Sequence, residues 1–294
     1  MKNKLHGIFP ALITPFDEEG KVNEKSLQEL VRMNITKGVN GFYVGGSTAE
    51  AFLLTLEERK IILEIVAAEC KGQYPIISHI GCISTEQAIE LAKHAEKVGV
   101  DAISSIPPFY YKFSWEEIKS YYTDILNNVD LPMIVYNFPA ASGVDLSSGA
   151  ARVLFEDERI IGVKHTSMDL YQLDRLKHIS QRLVVFNGHD EVFLAGISMG
   201  ADGAIGSTYN CMADKFVKIY TLYKEGRMQE ARALQTAAND VIEVLLQVGL
   251  FAGIKYILSL QGIDCGQSRR PFKPLTEAEK ERIRNIYNKL YGIQ

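Results

Sequence analysis

Lys164 ends the apolar run Ile160-Ile161-Gly162-Val163, on what reads as a buried strand. A lysine so placed has two readings. Its stem can pack while the ammonium reaches solvent, or its amine can attack a carbonyl and form a Schiff base. With an ordinary pKa of about 10.4, only about one amine in a few thousand is neutral near pH ~7. The second reading therefore needs a desolvated site that disfavours the charged form. Tyr136 closes the preceding apolar run, PMIVYN. It is either an amphipathic core tyrosine with a wet tip or a phenol that shuttles protons beside an imine. Ser47 and Thr48 follow Gly45-Gly46 and precede a helical pattern. They form a simple helix cap, or an anion site made by close backbone approach and free N–H groups. Asp190 and Glu191, in the stretch Asn187-Gly188-His189-Asp190-Glu191, suit the hydroxyls of a polyol or make a solvated helix start. A metal site built from His189, Asp190 and Glu191 has little support in their spacing.

These residues need elements to bring them together. Eight apolar runs read as strands, beginning near Gly7, Gly41, Pro75, Ala102, Pro132, Ile160, Leu183 and Gly203. Helical patterns lie between them, for instance over residues 57–69, 85–98 and 115–127. Near-continuous apolar strands separated by helices predict parallel strands buried on both faces. A weak repeat, GVNG at Gly38, GVDA at Gly99 and GADG at Gly200, places a glycine where a helix must turn back into a strand. Eight such units predict a (β/α)8 barrel, whose active site lies at the carboxyl ends of the strands. An open doubly wound sheet is the alternative, but no strand here leads into G-x-G-x-x-G. After Gly206 only helical patterns follow, over residues 213–225, 228–250 continuing to 260, and 276–291, the last opening on the capping box T-E-A-E at Thr276. The expectation is one domain over 1–294, with a barrel to about 210 and a helical extension over 211–294.

Composition excludes several classes. The 294 residues carry 32 Lys and Arg against 36 Asp and Glu, a net charge of −4, so the basic excess of a phosphate-neutralising protein is missing and no nucleic-acid partner is expected. The four cysteines, Cys70, Cys82, Cys211 and Cys265, form no C-x-x-C pair and suit a reducing, cytoplasmic compartment. The N-terminal apolar run over residues 7–16 contains two prolines and lacks a cleavage pattern. The stretch over residues 241–260 holds Glu243, Gln247 and Lys255, which reads as a buried helix rather than a membrane span.

The strand exits also carry ordered motifs: GGSTAE at 45–50, YNFPAASG at 136–143, GVKHTS at 162–167, NGHDE at 187–191 and GADGAIGST at 200–208. Each alone is weak, but in this order they are specific. The chain resembles the class I aldolase family that includes N-acetylneuraminate lyase and dihydrodipicolinate synthase, from Gly7 to Gly206 and beyond. The resemblance implies Lys164 as the Schiff-base lysine, Tyr136 as proton relay, and Ser47 and Thr48 as holders of a substrate carboxylate. It implies Thr166, Gly188, Asp190, Glu191 and Ser207 as the site of a hydroxylated tail. The segment Ala140-Ala141-Ser142 lacks the arginine usual in the synthases. The resemblance thus implies aldol cleavage of sialic acid to N-acetylmannosamine and pyruvate. Another pyruvate-dependent aldolase on this scaffold is the alternative, and a non-catalytic binding protein the remote one. It further implies small-molecule partners only, no metal or diffusible cofactor, a homotetramer, and an aromatic at Tyr110 near a neighbouring subunit's site. Ala49 stands where the family has glycine, and His165 and His189 occupy positions that bear on substrate preference.

Overall fold

A computed structural model describes residues 4–146 and 149–293. Its eight strands are β1 (Gly7–Pro10), β2 (Phe42–Val44), β3 (Ile76–His79), β4 (Ala102–Ser105), β5 (Met133–Asn137), β6 (Ile160–His165), β7 (Val184–Asn187) and β8 (Gly203–Gly206). All pair in parallel, in the order β1-β8-β7-β6-β5-β4-β3-β2. A bridge between Ala11 and Tyr43 joins the remaining seam, where the Asn40 N–H also donates to Ile8 O at 2.8 Å. The sheet is thereby a barrel, as the alternation of runs predicts. The repeated glycines do what their spacing asks: Gly38, Gly99 and Gly200 have φ of 85°, 82° and 97°, a left-handed turn that side chains with a Cβ resist.

Around the barrel run α1 (Glu24–Thr36), α2 (Leu56–Cys70), α3 (Thr85–Val98), α4 (Trp115–Leu126), the short α5 (Pro139–Ser142), α6 (Leu170–Lys177), α7 (Phe193–Ser198) and α8 (Tyr209–Lys224). The helical pattern over residues 213–225 overlaps α8, which starts four residues earlier and follows β8 as the eighth barrel helix. Beyond it lie α9 (Met228–Val248), α10 (Leu250–Leu260) and α11 (Glu277–Tyr291). The long pattern over 228–260 is two helices, because Gly249 at φ 121° and ψ 106° breaks it. Among the described residues no helix is long and apolar enough to cross a membrane. The capping box at Thr276 forms, with Thr276 N–H donating to Glu279 Oε2 at 2.8 Å and Glu279 N–H to Thr276 Oγ1 at 3.3 Å.

Strand side chains alternate between two cores. Phe9, Tyr43, Ile77, Ala102, Ile134, Val184, Phe186 and Ile205 fill the barrel interior. The intervening residues, such as Val44, Ile103, Val135, Val163 and Val185, pack outward against the helices. Lys164 is in register with Tyr136 on one side and inward-facing Phe186 on the other. The same period that buries Val163 outward therefore sends Lys164 and Tyr136 into the barrel.

Candidate active site

At the carboxyl ends of the strands lies a cavity of about 240 Å³. Its lining includes every predicted site residue: Ser47, Thr48, Tyr136, Lys164, Thr166, Gly188, Asp190, Glu191 and Ser207. Phe138, His189, Ile205 and Thr208 complete the barrel side, while Ile242, Leu246, Leu250 and Phe251 of α9 and α10 form an apolar wall.

Lys164 is 4% exposed, so its ammonium does not escape to bulk water. Its Nζ lies 4.2 Å from the ring centre of Tyr43 and 4.1 Å from that of Tyr136. Aromatic faces favour an ammonium by about 0.5–2 kcal/mol, less than the hydration it forfeits. Burial accordingly pushes the Lys164 pKa down to about 7, with the Asp190 carboxylate opposing the shift. Much of the amine is then neutral near pH ~7, as a nucleophile requires.

Tyr136 is 3% exposed. Burial raises its phenol pKa, while the neighbouring hydroxyls of Ser47 and Thr166 oppose the rise. It therefore stays protonated at neutral pH and can give a proton before it takes one. Thr48 and Ser207 join strands on opposite sides of the seam, their hydroxyl oxygens 2.6 Å apart.

The polyol-type residues divide by role. Asp190 Oδ2 accepts from the Thr208 N–H at 2.8 Å and the Thr208 hydroxyl at 2.7 Å. Asp190 also lies beside the buried Tyr209 hydroxyl, and the Thr166 hydroxyl lies beside the Tyr136 phenol. Thr166 and Asp190 line one cavity, and a hydroxyl and a carboxylate there suit the hydroxyls of a ligand. Burial raises the Asp190 pKa to about 6, against the Thr208 hydrogen bonds. Burial also acts upward on Glu191, but His189 and the residue's own N–H outweigh it and its pKa falls. Gly188 gives the hydroxyl room, since a Cβ there would lie 2.0 Å from Thr166 Oγ1.

The two histidines part company. His189 lines the cavity, with Nδ1 3.5 Å from Glu191 Oε2. His165 faces away, its Nδ1 3.0 Å from Asn137 Nδ2 and its Nε2 3.1 Å from Asp169 O. Alternation along β6 is the reason: Lys164 and Thr166 point in, so His165 points out. Ala49 is buried below the loop, its carbonyl accepting the Thr14 hydroxyl at 2.8 Å. Tyr110, with φ 79°, is 83% exposed beside exposed Tyr111 at the β4 exit. Among the described residues no three His, Cys, Asp or Glu converge as a metal cage.

Several contributors were not singled out from the sequence. Tyr43, two residues before Gly45 on β2, flanks the amine, and its hydroxyl donates to Ser104 Oγ at 3.1 Å. Period-2 alternation from Gly45 was the available signal. Gln235 of α9 donates to Asp190 O at 3.0 Å and accepts from Leu194 N–H at 3.1 Å. Asn239 donates to Glu191 O at 2.9 Å. These two amides clamp the acidic loop from the extension, and no local motif announces them.

The chain matches the dihydrodipicolinate synthetase family over residues 4–290. It belongs to that family. Among curated relatives, an N-acetylneuraminate lyase of Rhizobium meliloti is 46% identical over 282 residues, covering 96% of this chain and 94% of the relative. Among solved structures, CdNal of Clostridium difficile in complex with mannosamine is 43% identical, covers 97% of this chain and 99% of its own, and superposes with a TM-score of 0.94. An N-acetylneuraminate lyase of Fusobacterium nucleatum, complexed with pyruvate, is 40% identical with a TM-score of 0.92, covering 98% and 97% of the two chains. Membership in the dihydrodipicolinate synthetase family thus extends over both the barrel and the C-terminal helices that wall the cavity.

Proposed function

We propose that the chain cleaves N-acetylneuraminate to N-acetylmannosamine and pyruvate through an imine on Lys164. One observation carries the reading: a buried amine, held between two tyrosine rings, with a pKa brought down to about 7. The N-acetylneuraminate lyases among its relatives and structural neighbours support the substrate.

Neutral Lys164 attacks the C2 ketone of the open-chain sugar acid, and loss of water leaves an iminium ion. Breaking the C3–C4 bond would otherwise leave a carbanion; the iminium takes those electrons as an enamine, and a proton at C3 followed by addition of water then releases pyruvate and frees the Lys164 amine. The iminium is itself the electron sink, so the step calls for no metal or diffusible cofactor. Tyr136 relays protons during imine formation and, with the substrate carboxylate, at the C4 hydroxyl. Ser47 and Thr48 hold the carboxylate and turn the ketone toward the amine. Thr166, Gly188, Asp190, Glu191 and Ser207 take the hydroxylated remainder.

Borohydride trapping with pyruvate, followed by peptide mass mapping, tests this. The reduced adduct should sit on Lys164. Its rate of formation should be flat above pH 7 and fall roughly tenfold per pH unit below, because protonation of an amine with a pKa of about 7 removes the nucleophile. No adduct on Lys164 sinks the mechanism, and a midpoint near pH 10 sinks the desolvated amine.

The reading extends to a cytoplasmic homotetramer. All four cysteines are buried free thiols, in keeping with a reducing compartment. Exposed Tyr110 and Tyr111 supply an aromatic face for a neighbouring subunit. Sedimentation equilibrium should return four times the chain mass, with Tyr110→Ala lowering the association; a monomeric wild type would contradict the assembly.

A further inference from the structure

The loop that carries Ser47 and Thr48 is strapped to the C-terminal helices. Glu50, two residues past Thr48, has φ 60° and ψ 34°, a left-handed conformation that a non-glycine residue keeps only where its surroundings hold it. The holding group is Lys255 of α10, whose Nζ lies 2.9 Å from Glu50 Oε1, with side-chain exposures of 2% and 0%. Glu50 Oε2 accepts the Arg269 N–H at 2.6 Å. Lys255 also donates to Gln267 O at 3.1 Å and sits 4.3 Å from the ring centre of Phe16. The strap continues through Arg269, which donates to Leu53 O at 2.9 Å and to Glu58 Oε2 at 2.8 Å. Glu50 N–H in turn donates to Ser47 O at 3.0 Å, so a shift of Glu50 is passed directly to the serine.

A buried ion pair does little for net stability, because desolvation offsets the attraction and an apolar pair can fill the same volume. The hydrogen bonds that flank it, from the Arg269 N–H to Glu50 Oε2 and from Lys255 to Gln267 O, do hold one arrangement of the chain. We propose that the Glu50–Lys255 pair is a positioning device for the carboxylate loop, which makes the C-terminal extension part of the substrate site. This rests on the reading that Ser47 and Thr48 hold the substrate carboxylate. Loss of the pair should therefore weaken capture of ketones that carry a carboxylate and spare those that do not.

Lys255→Met alone strands a buried carboxylate and threatens folding. The informative variant is the double one, Glu50→Gln with Lys255→Met, accompanied by Lys255→Arg. Each protein is titrated with pyruvate and with hydroxyacetone, a ketone lacking the carboxylate, and the Lys164 adduct is trapped by borohydride. The double variant should keep its circular dichroism and thermal midpoint. Its half-saturating pyruvate should rise about tenfold, the scale of a misplaced hydrogen bond to a charged group, while hydroxyacetone is unaffected. Lys255→Arg should restore the pyruvate preference. Unchanged pyruvate capture in the folded double variant overturns the proposal, and so does an equal loss for both ketones. A wild type that captures the two ketones equally well overturns the carboxylate reading itself, and one that traps no pyruvate overturns the imine chemistry beneath it.

Discussion

Lys164→Met should abolish sialic acid cleavage and at the same time make the protein more stable. The loss of turnover is roughly 10⁴-fold or more, the scale of removing a nucleophile, because among the described residues no other amine lines the cavity. The gain in stability follows from linkage. The Lys164 pKa is about 7 in the folded state against 10.5 for the unburied group. Below pH 7 both folded and unfolded states hold the proton, and the cost of burying the charge is felt in full. Between pH 7 and 10.5 the unfolded chain keeps a proton that the folded one has released, so stability rises with pH. Above that range the cost has gone. The displacement corresponds to at most roughly 5 kcal/mol, and even a quarter of that moves a midpoint by about 2 °C in a chain of this size. Methionine keeps the volume and drops the charge. Calorimetry should therefore show the variant melting higher than wild type at pH 6, with the gap narrowing by pH 9. A variant that melts no higher at pH 6 would mean that the Lys164 ammonium is solvated after all.

Tyr136→Phe should lower kcat by roughly 10²–10⁴, the usual share of a positioned proton relay, with little change in stability. The reason for the separation is geometric. The ring stacks near Phe138 at 5.8 Å between centres and crosses Tyr43 at 6.2 Å, and phenylalanine preserves both contacts as well as the apolar cover over the amine. Only the hydroxyl leaves. The acid limb of the pH profile should therefore still report an amine with a pKa of about 7, now on a much slower reaction. Borohydride should still trap the pyruvate adduct at long times. An unchanged kcat would remove the relay, and a displaced acid limb would mean that the phenol, not burial, sets the amine.

Much of this arrangement is legible along the chain. The run ending in Lys164 shows where a strand stops, and the barrel rule places strand ends at the site. Alternation then separates Lys164 and Thr166 from His165, although His165 belongs to the same motif. Alternation also points to Tyr43, but an aromatic in an apolar strand looks like core until its neighbour is known to be an amine. Residue type by itself does not say whether Asp190 is solvated. Its burial and its Thr208 partner arise from the segment after β8 and the loop after β7 meeting in space.

By itself the sequence determined the eight-fold alternation of strand and helix, the glycine turns at Gly38, Gly99 and Gly200, and the order of chemical residues at the strand exits. Each is a local property: hydrophobic period, turn chemistry and capping act over a few residues, and they are written where they act. The tertiary structure alone decided the environment of those residues. The low pKa of Lys164 comes from burial, as β2, β5 and the helices that wall the mouth exclude water from it. The clamp on Asp190 comes from Gln235, 45 residues away, and the hold on the Ser47 loop comes from Lys255 and Arg269, the latter 219 residues beyond Glu50. Desolvation and long-range hydrogen bonding depend on what folds against a group, and closure of the barrel brings those partners together.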